Sequence, residues 1–465
     1  MTHRWTKIAA VGVLCICTVG ATACQFYTDP SGWSDGVGAS NTLYEVATEL
    51  GNKTSEGEWM DDVTGASSEA YRTYQDAKKE GYDGTFLEFL KEIGYSADDG
   101  AYSIGSAVQS VVSVYSTFTL QSTSSRPSFP WFGGSFGESS SQATSVGAGV
   151  IYQLDKENGD AYIVTNYHVV YYADSKGDEE VRHVSDEIRI CLYGMTTDNA
   201  IRAEYVGGAM QYDIAVLKIE DSDILRESAA RSARLADSDA ITAGEKVYAV
   251  GNPEGEGISV SSGVVSVEAE YIEIYAADDK TVLNMLEIRT DTAVNHGNSG
   301  GGLFNADGRL IGIVNARLED DGVDSFGYAI PSNLATSVAQ NIIDNSLVNA
   351  SRKSLRGRLG VTSQVTGKKS VYSEATGRSY IQETVSITDV QSGAPADGVL
   401  KAGDILYSVS INDGPEEVVT RLHMVDEILF RIRLGDTLKI VCQRDGVLQE
   451  HTITFSRSEM FQVVD

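Results

Sequence analysis

Residues Val294 to Phe304 read VNHGNSGGGLF, and this stretch decides how the whole chain is interpreted. It places Ser299 between an asparagine and three consecutive glycines. Glycine is used where the backbone turns tightly or approaches another group closely. A serine with so little side chain around it is typical of a nucleophile whose loop must expose backbone N–H groups to a substrate carbonyl.

A serine nucleophile also needs a base and a carboxylate that orients the base. His168 lies where the strand-like run AYIVTN enters a turn, and it is the candidate base. Asp213 begins the alternating run DIAVLKIE and is the candidate carboxylate. The order His168, Asp213, Ser299 is that of the chymotrypsin-like double barrel. The oxyanion would be bound by the amides of Gly297 and Ser299, with Asn298 lining the loop.

The surrounding residues, 101–347, have the pattern of a β domain. Short apolar and β-branched runs such as AVQSVVSVYSTFTL, VGAGVIYQL and KVYAVG alternate with turns rich in Gly, Asp and Asn. Many short strands broken in this way predict an all-β sandwich or barrel. NADGRL predicts a hairpin turn, and PSNLATSVAQNIIDN predicts a closing helix.

A basic linker, ASRKSLRGR, leads into a last unit that fills residues 355–458. Four runs predict strands: YIQETVSITDV, DILYSVSI, TLKIVCQRD and LQEHTITF. One helix is predicted from apolar residues at a spacing near 3.6. Those residues are Val418, Leu422, Val425, Leu429 and Ile432. The last unit is therefore predicted to be a small α+β domain.

The N-terminus has the pattern of an export signal over residues 1–23. A basic start, MTHRWTK, precedes an apolar run that is shorter than the ~20 residues of a membrane-spanning helix. Ala23 ends an A-x-A site, and Cys24 follows at the bond where a lipoprotein signal is cut. Lipidation of Cys24, simple secretion and an uncleaved anchor all remain open. Each places the bulk of the chain outside the cytoplasm, in the cell envelope or beyond.

Two further segments precede the β domain. Residues 24–40 read as a linker rich in Gly, Ser and Asp, and residues 41–96 read as two short helical hairpins. Tyr44 of the first hairpin aligns with Tyr71 of the second. The pair resembles small helical repeats of Gram-positive surface proteins, with a chance similarity as the alternative. Neither hairpin carries residues that predict chemistry.

Composition narrows the class of partner. The formal net charge of −30 argues against nucleic acid and against anionic lipid headgroups, so membrane contact is expected only through a lipid or N-terminal anchor. Cys191 and Cys442 remain after export, and they are interpreted as separate core residues rather than as a disulfide. No metal motif such as HExxH is present.

Six motifs in order resemble those of the HtrA/DegP family of trypsin-like serine proteases. They are TNYHVV, YDIAVLKI, VGNPEGEGISVSSGVVS, NHGNSGGGLFN, LIGIVNA and FGYAIPSN. The resemblance implies an exported endopeptidase that cleaves misfolded or exported proteins through an acyl-enzyme, without metal or cofactor. The alternative is a catalytically idle, chaperone-like protein that holds unfolded chains, and the complete triad favours the protease.

The resemblance also implies binding residues and an assembly. Ala293, Asn315 and Ala316 would form the specificity pocket, which would accept small aliphatic residues because its base carries no carboxylate. A homotrimer is expected, with Tyr115 and Phe118 as candidate contact residues.

The last unit resembles the single PDZ domain that ends many family members, through GRLGV, SGAPADGVLKAGDIL and RDGVLQEHTITF. The amides of Leu359, Gly360 and Val361 would bind the carboxylate of a peptide C-terminus. The strand after Val361 and the helix around residues 423–430 would form the walls of the groove.

Two positions depart from the family pattern. Gly302 replaces a common proline and is expected to loosen the end of the loop. His296 precedes the GNSGG motif and is interpreted as an exposed loop side chain, because His168 already fills the role of the base.

Overall fold

A computed structural model describes residues 100–120, 142–176, 183–315, 326–349, 352–373 and 378–464. The predicted signal peptide, linker and helical hairpins, together with Cys24 and Ala316, lie outside these ranges. Residues 107–465 form one compact unit. Among the described residues, none of the helices combines the length and apolarity needed to cross a bilayer.

The first six strands close into a barrel in the order β1-β2-β3-β6-β5-β4. Its core is built from β-branched and aliphatic side chains that alternate inward along each strand, including the fully buried Ile163 and Leu217. A short helix, α2 (Tyr167–Val170), follows β3, and a second, α3 (Asp223–Glu227), follows β6. The strands are β1 (Val111–Thr119), β2 (Gln142–Asp155), β3 (Asp160–Asn166), β4 (Glu187–Cys191), β5 (Ile201–Ala209) and β6 (Ile214–Ile219).

The next six strands close a second barrel in the order β10-β11-β12-β9-β8-β7. Helix α4 (Ser332–Asn349) follows it and packs back across β5 and β11, one strand from each barrel. The strands are β7 (Lys246–Gly251), β8 (Ser259–Tyr275), β9 (Val282–Thr290), β10 (Gly302–Asn305), β11 (Leu310–Asn315) and β12 (Gly327–Pro331). The predicted double barrel, hairpin and closing helix are therefore present.

The last unit combines a five-strand sheet, a short strand on its side and one helix. The sheet has the order β14-β15-β16-β18-β19, with β17 on β16, and β13 pairs separately with β20. Because β20 ends at Val464, the paired structure extends past the predicted limit at 458. The elements are β13 (Ser354–Gly357), β14 (Val361–Ser373), β15 (Arg378–Val390), β16 (Ile405–Ile411), β17 (Glu417–Val418), α5 (Met424–Arg431), β18 (Thr437–Arg444), β19 (Val447–Thr454) and β20 (Phe461–Val464).

Two predicted element boundaries were wrong. The run predicted as the first strand begins at Ala107, which is the last residue of helix α1 (Gly100–Ala107), and continues through the 3-10 turn Val108–Ser110, so β1 starts only at Val111. The predicted helix in the last unit is shorter, because Val418 lies in β17 and pairs with Ser408 before α5 begins at Met424. The β-branched side chain of Val418 and its pairing with a neighbouring strand outweighed the helical spacing of its sequence position.

The structure also corrects one candidate for trimer contacts and bears on the cysteines. Phe118 is fully buried and packs edge-on against Tyr172, so it belongs to the first barrel's interior rather than to an exposed surface. Tyr115 is half-buried, and its hydroxyl donates to the Gly255 carbonyl at 3.4 Å. Cys191 and Cys442 are both buried free thiols, as interpreted from the sequence.

Candidate active site

The structure brings together two members of the predicted triad. His168 lies in α2, directly after β3, and Asp213 precedes β6, the neighbour of β3 in the first barrel. Asp213 Oδ2 lies 2.7 Å from His168 Nδ1, and Asp213 Oδ1 accepts the His168 backbone N–H at 3.0 Å. One carboxylate therefore fixes both the position of the residue and the orientation of its ring.

Asp213 is itself held by the backbone around it. It adopts a left-handed conformation, with φ 49° and ψ 38°, which aspartate tolerates better than most residues. Its carbonyl accepts the Tyr167 N–H and the Asn166 side-chain amide, both at 3.0 Å. An uncommon backbone conformation that several hydrogen bonds hold in place is a frequent feature of functional sites.

The glycine-rich loop of Ser299 is bonded to both barrels. The Ser299 carbonyl accepts the N–H of Ala148 on β2 at 2.8 Å, and the Gly300 N–H donates to Val314 on β11 at 2.9 Å. A Cβ at Gly300 would lie 2.2 Å from Thr165 Oγ1, three residues before His168. The glycines are therefore needed because the serine loop lies against the backbone that carries the histidine.

Gly297 and Asn298 shape the region predicted to bind the oxyanion. Gly297 has φ +92°, and its N–H donates to no other residue that the structure describes. The Asn298 N–H is occupied by the Asn295 carbonyl at 3.0 Å, so Asn298 contributes its position in the turn and not a free donor. Ser299 and Asn298 are each 6% exposed, so both residues are largely buried.

A buried acid that the sequence analysis missed lies beside this site. Glu287 of β9 is 0% exposed, and its Oε1 accepts the side-chain amide of Asn315 at 2.9 Å. Burial raises the pKa of Glu287 well above its usual range, and the charge of Asp213 raises it further. Glu287 is thus a fully buried acid whose raised pKa reflects both its burial and its nearness to Asp213. Its only sequence signal is a lone glutamate inside the apolar run NMLEI.

The predicted pocket residues occupy different environments. Asn315 is buried and bonded to Glu287, whereas Ala293 is exposed and its carbonyl accepts the Ser261 hydroxyl at 2.8 Å. Asn315 therefore lies in the interior of the second barrel rather than on an open surface.

The two departures from the family pattern differ from expectation. His296 is half-buried instead of exposed, and its carbonyl accepts the Glu254 N–H. Gly302 does not loosen the loop end, because it begins β10 and pairs on both sides, with Ile313 and Val250. A Cβ there would lie 2.3 Å from the ring of Phe304, which is fully buried. The glycine makes room for that core aromatic.

In the last unit, the predicted carboxylate loop precedes the edge strand β14. Gly360 has φ +73°, and a Cβ there would lie 2.1 Å from the Cβ of Ala394. The N–H groups of Leu359 and Gly360 donate to no other described residue, and Val361 begins β14. Helix α5 differs from the predicted groove wall, because His423 and Phe430 are buried against Asp239 and Tyr212 of the barrels.

Comparison with known proteins identifies the family of the chain. A family model described as a trypsin-like peptidase domain matches residues 147–313, which contain all three triad candidates. The serine protease Do-like HtrA of Lactococcus lactis subsp. cremoris (strain MG1363) is 32% identical over 369 residues, which cover 76% of this chain and 83% of that protein. The protein of the same name from Bacillus subtilis (strain 168) is 32% identical over 336 residues, 70% of this chain and 67% of its own length.

More distant similarity extends to other proteases. The periplasmic serine endoprotease DegP of Escherichia coli (strain K12) is 28% identical over 341 residues, 71% of this chain and 61% of that protein. A solved structure titled HtrA-type protease AlgW with tripeptide is 27% identical, covers 76% of this chain and 95% of its own, and has a TM-score of 0.45.

Proposed function

The chain belongs to the HtrA family of serine proteases. From that premise we propose that it is an exported endopeptidase that cleaves misfolded or exported proteins, with Ser299 as its nucleophile. The observation that carries the proposal is the pairing of His168 Nδ1 with Asp213 Oδ2 at 2.7 Å beside a glycine-rich serine loop. With Nδ1 occupied, His168 Nε2 is the nitrogen left to accept the serine proton.

The reaction follows from these roles. Ser299 Oγ attacks the peptide carbonyl while His168 takes its proton, and Asp213 stabilises the imidazolium that forms. The N–H groups of Gly297 and Ser299 bind the oxyanion. The imidazolium protonates the leaving amine as the C–N bond breaks. Water, deprotonated by the same histidine, then hydrolyses the acyl-enzyme and restores the free serine.

The same proposal gives the last unit a PDZ-like role. Its support is the glycine-dependent loop at Leu359 and Gly360 with unengaged N–H groups, followed by β14 at the edge of its sheet. A peptide C-terminus with a hydrophobic last residue would add to this edge and place its carboxylate on the loop. Binding there would raise protease activity.

Location and assembly complete the proposal. Export is supported by the basic and apolar pattern of residues 1–23, and retention at the envelope by Cys24 at the cleavage bond. The DegP relative is named as periplasmic, which is the same side of the membrane. A homotrimer is proposed on the family resemblance, with Tyr115 as the remaining candidate contact.

The test is hydrolysis of a permanently unfolded protein, for example reduced and alkylated albumin. We expect the wild-type protein to produce peptides and the Ser299→Ala variant to produce none, while both bind the substrate. Binding by both proteins without peptide release, also in the presence of a hydrophobic C-terminal peptide, would identify a holding protein instead.

A further inference from the structure

The contact between the second barrel and the last unit contains three ionisable side chains that the catalytic machinery does not use. Asp239 comes from the 3-10 turn Ser238–Ala240 between the two barrels. His423 immediately precedes α5, and Glu427 lies in its first turn. One ligand atom of each residue lies within 4.8 Å of the other two, and His423 Nε2 is 2.8 Å from Asp239 Oδ1.

The spacing of the two helix residues suits metal binding. His423 already has helical backbone angles, φ −64° and ψ −27°, so it and Glu427 are four residues apart on one helical face. Two ligands at this spacing on one helix, completed by a residue from another element, form a common metal-binding arrangement. Here the other element is the barrel turn that carries Asp239.

Two of the three side chains are buried, Asp239 is half-buried, and one carboxylate oxygen lacks a donor among the described residues. Glu427 and His423 are each 5% exposed. Glu427 Oε1 has no hydrogen-bond partner among the residues that the structure describes. A buried carboxylate oxygen without a partner is costly, and a cation beside it would remove that cost.

We propose that Asp239, His423 and Glu427 bind one divalent transition-metal ion of the zinc type, which fastens α5 to the second barrel. A neutral imidazole and two carboxylates balance the charge of such an ion, and the imidazole nitrogen favours zinc over magnesium or calcium. At bond lengths near 2.1 Å, tetrahedral ligand atoms lie about 3.4 Å apart, so rotation of side chains within the cluster brings them into range.

The surroundings supply the rest of a metal site. The side-chain amide of Asn333 lies 3.2 Å from Asp239 Oδ2 and 2.8 Å from Asp237 Oδ1, and so orients the first carboxylate, as second-layer partners of metal ligands do. A cavity of about 720 Å³ borders both Asp239 and Glu427. It gives an ion access to the cluster and provides water as the fourth ligand.

The site is tested by zinc titration of the full-length, untagged chain. Ser299→Ala serves as the parent to prevent self-digestion, and the protein is first stripped with a chelator. Zinc is then titrated against a chromophoric competitor. We expect one zinc ion per chain, resistance to excess magnesium, and at least 100-fold weaker binding in His423→Gln and in Glu427→Gln. His451→Gln, which changes a histidine on β19 of the same unit, is the matched control and should bind as the parent does.

Thermal unfolding supplies a second readout. Zinc should raise the unfolding midpoint of the parent and of His451→Gln, but not that of the two ligand variants. If either helix variant fails to fold, Asp239→Asn tests the same site from the barrel side. The proposal is overturned if the parent takes up no zinc, or if the ligand variants bind zinc as tightly as the parent.

Discussion

Replacing Gly297 by alanine tests whether the loop before Ser299 must have the conformation seen here. At φ +92°, an alanine is strained by about 1–3 kcal/mol. Its Cβ would also lie 2.1 Å from the carbonyl oxygen of Asn252, and both atoms are fixed to backbone. Because a normal contact needs roughly 1 Å more, either the loop or the Asn252 segment must move by about that distance.

A displacement of that size should be expressed mainly in catalysis. Misplacing a catalytic group by about 1 Å costs on the order of 10²-fold in rate, and losing one oxyanion donor costs about 10²–10³-fold, or about 2.7–4 kcal/mol. We therefore expect kcat/KM of Gly297→Ala to fall by about 10²–10³-fold, with most of the loss in kcat because the interaction is made in the transition state.

Gly244→Ala is the matched control. Gly244 has φ +88° in the same barrel, but a Cβ there would meet nothing within 4 Å. Both variants should lose the stability that a positive φ costs an alanine, and Gly297→Ala should lose more because of its clash with Asn252. Only Gly297→Ala should lose activity on a fluorogenic peptide and on unfolded albumin. If Gly297→Ala retains activity within a few-fold of Gly244→Ala, the close approach to Asn252 does not govern the oxyanion loop and the reasoning fails.

Four further results are expected. Asp213→Asn should lower kcat by about 10⁴-fold with little loss of folding, because it keeps the shape but favours the wrong tautomer of the histidine; near-normal turnover would exclude the orienting role. Glu287→Gln, made in the Ser299→Ala parent, should flatten the pH dependence of the free energy of unfolding. Because its pKa is raised, Glu287 holds a proton in the folded parent that the unfolded chain loses above pH ~4.5, so the parent's stability falls by up to about 1.4 kcal/mol per pH unit as the pH rises. Stability curves of variant and parent that run parallel from pH 5 to 8 would contradict this. Product mapping by mass spectrometry should find mainly Val or Ala before the cut, since Ala293 offers no carboxylate, and a majority of Lys or Arg would refute it. Gly360→Ala should abolish the stimulation of protease activity by a hydrophobic C-terminal peptide. Gly393→Ala should retain it, because Gly393 has a similar positive φ but open space for a Cβ. Equal stimulation of both variants would show that the loop at Gly360 does not bind the peptide.

The site was predictable where local sequence determines geometry. His168 was predicted at the end of one strand and Asp213 at the start of another, and the structure shows that these two strands are neighbours. The glycines around Ser299 predicted a close backbone approach, which the structure locates at Thr165. The side on which an aromatic residue of a strand lies was not predictable: Phe118 reads like a surface contact but fills the barrel, because the period of alternation does not state which face is inside.

Contacts between distant segments were also out of reach of sequence reasoning. Glu287 looks like one polar residue in a strand until its pairing with Asn315 buries it. The cluster of His423 with Asp239 joins residues separated by 184 positions, so no motif spacing could indicate it. The helix around residues 423–430 was predicted as a wall of the peptide groove, and only the structure shows that His423 and Phe430 pack against the barrels.

The central claim is that Ser299 is a nucleophile activated by His168 and Asp213. Labelling with a fluorophosphonate, followed by peptide mapping, tests it most directly, with and without a hydrophobic C-terminal peptide. We predict a single adduct on Ser299 in the wild-type protein and strongly slowed labelling in Asp213→Asn. A preparation that hydrolyses unfolded albumin while its adduct lies on another serine, or an Asp213→Asn variant that labels at the wild-type rate, would contradict the account.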